Sequence, residues 1–294
     1  MGLDANKKPD FMIIGAMKCA TSTLHDQLAQ LDAVFMTTPK EPYFFSDDPV
    51  YAKGLGWYEG LYEAAETSDL KGESSTHYTK FPTYPETIKR IKEAGLGDIK
   101  LIYVMRHPVD RLISHYIHEW SQRVISCDID TALGTNPELV SYSKYAYQIQ
   151  HYLDEFPKER ILFVFFESLR DNPQAVFTEV CQFLGIEGNP EWDFNLGASN
   201  VSSERLRKFP LYSLLVDSKP MTWLRQNLVP KWVRNKIKKG LTMKSRPVLS
   251  ESSLAQINAE FGADLQALGK ILGVEINLEN YSSVAKQYIA GKAV

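Results

Sequence analysis

Cysteine is scarce in this chain: Cys19, Cys127 and Cys181 are the only three in 294 residues, with no CxxC pair and no Cys/His spacing of a ligand set. An odd, scattered trio excludes a disulfide framework and a zinc site, and predicts a reducing compartment. No apolar run reaches the roughly 18 residues that a spanning helix needs. The opening MGLDANKKPDF lacks the apolar centre of a secretory leader, and Asn6 breaks the N-myristoylation pattern. The sequence therefore predicts a cytoplasmic protein with no integral membrane segment.

Excess charge is missing too. With 33 basic against 36 acidic residues the formal net charge is -3, so nothing global calls for a nucleic-acid partner. Nor does any cluster of carboxylates and histidines have metal-ligand spacing, so no metal is expected. The absence of Gly/Ser linkers and repeats predicts one domain over 1–294, less regular over about 187–249 and followed by a terminal helix.

What is present is a set of short, wholly apolar runs: FMII at 11–14, IKLIYVM at 99–105 and RILFVFF at 160–166. Amphipathic stretches at 21–31, 83–94, 109–121, 143–155, 173–184 and 250–272 carry helical spacing between and after them. Solid apolar strands alternating with helices predict an α/β fold, its central sheet mostly parallel and covered on both faces.

The first apolar run stops at Gly15, passes Lys18 and reaches Thr21, Ser22 and Thr23 just before Leu24 and Leu28 begin a helix. Strand, loop, helix is the arrangement in which helix N–H groups and a lysine bind phosphate. GAMKCATS is nevertheless not a Walker loop: the lysine comes early and no Gly-Lys-Ser/Thr end follows.

A second anion site follows the next apolar run. Arg106 stands where the strand ends, Pro108 opens a helix, and Ser114 lies eight residues beyond the arginine. Ligands of open α/β sheets sit beyond the carboxyl ends of the strands, so one molecule can touch both loops.

These two motifs together resemble the PAPS-dependent sulfotransferase family, in the branch of heparan-type and bacterial members. GAMKCATST resembles its loop for the 5'-phosphosulfate, and RHPVDRLISHY its site for the 3'-phosphate. PKEPYFFS at 39–46, KGESSTHY at 71–78, the segment 152–186 and KSRPVLSESSLAQIN at 244–258 extend the likeness over most of the chain. The resemblance implies a P-loop-like three-layer fold and transfer of a sulfuryl group from 3'-phosphoadenylyl sulfate (PAPS) to a hydroxyl or amine, releasing adenosine 3',5'-bisphosphate (PAP). A non-catalytic nucleotide-binding module and a P-loop kinase or NTPase are the alternatives.

By this resemblance Lys18 would stabilise the leaving phosphate oxygen. Gly15, Ala20, Thr21, Ser22 and Thr23 would hold the 5'-phosphate. Arg106 and Ser114 would grip the 3'-phosphate, helped by Lys244, Ser245 and Arg246. Glu41 matches the carboxylate base of heparan-type members, and His77 is the alternative base. Family loops place glycine where this chain has Ala20, so alanine there predicts a negative φ.

Glu73, Tyr43 and Phe44 are candidates for acceptor binding. The acceptor is a small molecule, lipid or glycan. The basic stretch 231–246, with seven Lys/Arg and Trp232, Val233, Ile237 and Leu241 roughly on one helical face, suits either an acidic or membrane surface or solvent.

Overall fold

The computed structural model describes residues 2–196, 243 and 245–288. Lys244 and most of the basic stretch 231–246 lie outside them.

Five strands, β1 (Phe11–Gly15), β2 (Val34–Met36), β3 (Leu70–Ser74), β4 (Lys100–Met105) and β5 (Ile161–Phe165), pair in the order β2-β3-β1-β4-β5. Every neighbouring pair is parallel. Three of the strands are the apolar runs, and β1, at the centre, is buried along its whole length. The two others carry little sequence signal: β2 has three residues, and β3 reads LKGES.

Gly72 shows why β3 contains a residue that weakens strands. It sits in register with Phe11 of β1, and a Cβ there would lie 2.2 Å from the Phe11 ring. The glycine lets the ring fill that space.

Helices α1 (Thr21–Leu28), α2 (Thr87–Glu93), α3 (Pro108–Gln122), α4 (Tyr145–Leu153), α5 (Pro173–Leu184) and α6 (Glu251–Leu272) follow the predicted stretches within a few residues. The largest offset is at α2, which starts at Thr87 and not at 83, because Pro85 disfavours helical φ/ψ at the residue before it. Ser250 caps α6 by accepting a hydrogen bond from Ser253 N–H at 3.2 Å.

A second cap joins two helices far apart in sequence. The buried Asp264 of α6 accepts from Ala146 N–H (3.0 Å) and Tyr147 N–H (2.9 Å) in the first turn of α4. A carboxylate at a helix N-terminus satisfies free donors and opposes the positive end of the dipole. Helix α6 thereby fixes the segment that carries Tyr145; it is not the terminal helix expected, since a further short helix, Tyr281–Gln287, follows it. Among the described residues, no helix is long and apolar enough to cross a membrane.

Candidate active site

Because all five strands run the same way, their carboxyl ends open at one edge, and the segments carrying Lys18, Glu41, His77 and Arg106 leave the sheet there. The loop that leaves β1, the candidate donor loop, begins at Gly15. Gly15 is required there, since a Cβ would lie 1.9 Å from Thr79 Oγ1, itself donating to Ile14 O at 3.0 Å. Ala16 N–H then donates to Val104 O of β4 at 2.8 Å, pulling the loop toward the neighbouring strand.

Lys18 and Ala20 both have left-handed backbone, with φ of 74° and 65°. For Ala20 this corrects the expected negative φ. The residue before α1 must reverse the chain into the helix, and alanine adopts the conformation that glycine takes more easily, at about 1–2 kcal/mol. Thr21 is buried, and Ser22 and Thr23 are half-buried in the first turn of α1, where N–H groups lack intrahelical acceptors.

Two buried side chains tie this loop to the next one. Arg111 of α3, wholly buried, donates from Nε to Met17 O (3.1 Å) and from Nη1 to Ser143 Oγ (3.1 Å). The Tyr145 hydroxyl accepts from Arg106 N–H at 3.1 Å and lies 3.8 Å from Cys19 Sγ. Neither tie was visible in the sequence, although Arg111 stands inside the RHPVDRLISHY motif.

Arg106 follows β4 directly. Its Nε is buried without a hydrogen-bond partner among the described residues, and its guanidinium carbon lies 4.7 Å from the Phe166 ring centroid. A buried, unpaired guanidinium nitrogen beside a phosphate-type loop is a donor prepared for an anion. Ser114 is buried on α3, and the exposed Arg246 pairs with Asp110 in that helix's first turn. Ser245 is exposed beside it.

On the other side of β1, the segments after β2 and β3 bring Glu41 to the edge. Its Oε1 accepts from Lys40 Nζ at 3.2 Å, and its Oε2 accepts from Thr76 Oγ1 at 2.9 Å and from the Tyr43 hydroxyl. Burial pulls the Glu41 pKa upward, but Lys40 and the two hydroxyls outweigh it and hold the carboxyl below its ordinary value. The carboxylate is therefore ionised at neutral pH. Oε1 keeps a lone pair for a further donor, because among the described residues only Lys40 occupies it.

His77 stacks on Tyr43 with ring centroids 3.7 Å apart and on Tyr84 at 4.6 Å. Burial, then Lys80, pushes its pKa down to about 3, so the ring is neutral at pH 7 and a far weaker base than free imidazole. Lys80 is itself lowered to about 8 by burial and by Arg111, with Glu41 and Glu119 opposing.

Two acceptor-site expectations are corrected. Phe44 is fully buried and packs on Tyr58, Tyr51 and Trp57, with centroids 4.7, 5.3 and 5.9 Å away; it belongs to an aromatic core. Glu73 is also fully buried, beneath the site. Its carboxyl faces the Tyr78 and Tyr58 hydroxyls without a well-formed hydrogen bond, and burial pushes it up to about 8. Neither residue reaches the cleft. Tyr43 remains half-exposed beside Glu41.

A crevice with these features defines an α/β protein whose anion-suited groups meet across two adjacent strand ends. The family profile described as "Sulfotransferase domain" matches residues 8–269, and the chain belongs to that family. It is 30% identical over 203 residues to human bifunctional heparan sulfate N-deacetylase/N-sulfotransferase 2, covering 62% of this chain and 22% of that protein. It is also 30% identical over 198 residues to human heparan sulfate glucosamine 3-O-sulfotransferase 3B1, covering 63% and 48%. The chain thus spans about a fifth to a half of these relatives' length.

Among solved structures, a sulfotransferase from Alicyclobacillus acidocaldarius superposes with a TM-score of 0.65 at 21% identity, covering 92% of this chain and 97% of that one. Mouse sulfotransferase SULT7A1 complexed with PAP gives 0.54 at 14%, covering 96% and 91%. Both share the fold of this chain.

Proposed function

We propose that the chain transfers a sulfuryl group from PAPS to a hydroxyl or amine of a small-molecule, lipid or glycan acceptor, with PAP as the second product. The observation that carries this reading is the pairing, on adjacent strands β1 and β4, of the Lys18 loop with Arg106 and its unpartnered buried Nε, linked through Tyr145 and Arg111. The donor set fits PAPS: N–H groups and hydroxyls at the start of α1 for a 5'-phosphate, Arg106, Ser114 and Arg246 for a 3'-phosphate. PAPS supplies an activated sulfuryl group when bound.

The chain's own residues then have separate tasks. Lys18 brings a positive charge to the oxygen on which negative charge builds as the group departs, the kind of fixed electrostatic stabilisation that dominates such displacements. Glu41 takes the acceptor proton at Oε1, already ionised and oriented by Lys40, Tyr43 and Thr76. The half-exposed ring of Tyr43, stacked on His77, gives the acceptor an apolar face next to that carboxylate. The heparan sulfate named for the human relatives is one glycan of the proposed acceptor class.

Calorimetric titration with PAP and with ATP, without added metal, tests the reading. PAP is expected to bind at least about tenfold more tightly, the worth of a charge-assisted contact to the 3'-phosphate. ATP binding alone, or no binding of either, would refute it.

A further inference from the structure

Lys40 stands directly before the base and touches both halves of the site. Its ammonium donates to Ser22 Oγ at 3.0 Å and to Glu41 Oε1 at 3.2 Å. Consecutive side chains in extended backbone point to opposite sides. Glu41 escapes this alternation because its backbone is left-handed, with φ of 57°, and so the two neighbours converge. Both side chains are only about one-fifth exposed, at 23% and 20%, so solvent screens the pair incompletely.

The direction of the first bond matters. An ammonium has three donors and no acceptor, so Ser22 Oγ receives a hydrogen from Lys40 and its own hydrogen must point elsewhere. Ser22 lies in the first turn of α1, among the free N–H groups of the donor loop. We propose that Lys40 is a positioning residue that couples the donor loop to the base, fixing the Ser22 hydroxyl as a donor toward the 5'-phosphate while aiming the Glu41 carboxylate at the acceptor. The proposal rests on the reading of this crevice as a PAPS site.

Other charged and titratable groups around Glu41 are His25 of α1 and His77 and Lys80 after β3, all within its electrostatic reach. His25 and His77 are both held well below neutral pH, at about 4 and about 3, so neither substitutes for the Lys40 charge. The hydrogen bonds to Glu41 come from Lys40, Tyr43 and Thr76 and not from Lys80. Of these donors, Lys40 is the one that also reaches Ser22.

The test needs no acceptor. The titration of the Glu41 carboxyl carbon is followed by NMR, assigned by its loss in Glu41→Gln, and PAP dissociation constants are measured by calorimetry for the intact chain, Lys40→Met, Ser22→Ala and the double variant. Lys40→Met is expected to raise the Glu41 midpoint, since burial then acts without the ammonium, and to weaken PAP binding by about three- to tenfold. Lys40→Arg, which keeps the charge and the donors, is expected to recover most of both effects and guards against a folding defect.

Because Lys40 acts through Ser22, the two single losses in PAP affinity should fall well short of adding in the double variant. Strict additivity would mean that Lys40 works only as a general positive charge, and would overturn the coupling. An unchanged PAP affinity in Lys40→Met would overturn it as well, whether or not Glu41 moves. Failure of the unaltered protein to bind PAP is a different result: it removes the donor-site reading itself, and the coupling with it.

Discussion

The hydroxyl of Tyr145 accepts the backbone N–H of Arg106 at 3.1 Å, so the residue after β4 is held by a side chain from the start of α4. Asp264 in turn caps α4, and the chain of support runs from α6 to Arg106, the proposed 3'-phosphate contact. Tyr145→Phe keeps the ring but leaves a half-buried N–H unpaired, at about 1–2 kcal/mol. The expected result in PAP calorimetry is a loss of about three- to tenfold with little change in fold. A wild-type dissociation constant would show that Arg106 is fixed by its strand alone.

Lys18 is expected to serve the transfer step more than ground-state binding. Lys18→Ala should lower kcat by about 10²–10³, the range for removing one fixed electrostatic stabiliser, while PAP binding falls much less. Equal losses in kcat and in PAP affinity would reassign Lys18 to simple anchoring.

The two candidate bases separate by environment. Glu41 is held below its ordinary value, and His77 is pushed down to about 3, so neither changes charge near neutrality. The rate should be flat between about pH 6 and 8, where an unperturbed histidine would titrate. Glu41→Gln should cost about 10²–10⁴ in kcat, whereas His77→Phe, which preserves the stack on Tyr43, should stay within about tenfold. A step near pH 6.5 that disappears in His77→Phe would transfer the role to the histidine.

Much of this arrangement was legible in the sequence because it rests on local pattern. The apolar runs that became β1, β4 and β5 are solid because parallel central strands are covered on both faces, and Pro108 and Pro173 open helices at the residues expected. β3 was not legible: LKGES carries a lysine, a glycine and a glutamate into the core, each allowed by a tertiary circumstance such as the Phe11 ring over Gly72. Phe44 and Tyr43 are consecutive aromatic letters, and nothing local says that one joins the core while the other faces the cleft. Tyr145 and Lys40 act through contacts to residues 39 and 18 positions away, which no periodicity records.

Glu73 gives a stability prediction with a definite sign. Its carboxyl is raised from 4.5 to about 8 in the folded chain, so the folded state keeps a proton that the unfolded state has released between those values. The stabilising contribution of the protonated form is complete below about pH 4.5 and is lost as pH rises toward 8. Glutamine has no proton to lose. Urea unfolding at pH 5, 6.5 and 8 should therefore show Glu73→Gln gaining on the wild type with rising pH, by an amount on the order of a few kcal/mol. Identical pH slopes for the two proteins would mean that Glu73 titrates normally.

Ala20 holds the conformation that glycine would hold at less cost, with φ of 65° and ψ of 24° at the entrance to α1. Ala20→Gly removes about 1–2 kcal/mol of left-handed strain and adds about 0.5–1 kcal/mol of unfolded-state entropy. The expected net gain of about 0.5–1 kcal/mol raises Tm by about 1–3 °C in a chain of this size. Because the backbone already lies where glycine would place it, PAP affinity should change by less than about threefold. The opposing term is packing, since the Ala20 methyl is partly buried against the main core. A lower Tm in Ala20→Gly would mean that this contact outweighs the strain, which would explain alanine at a left-handed position by what its methyl touches.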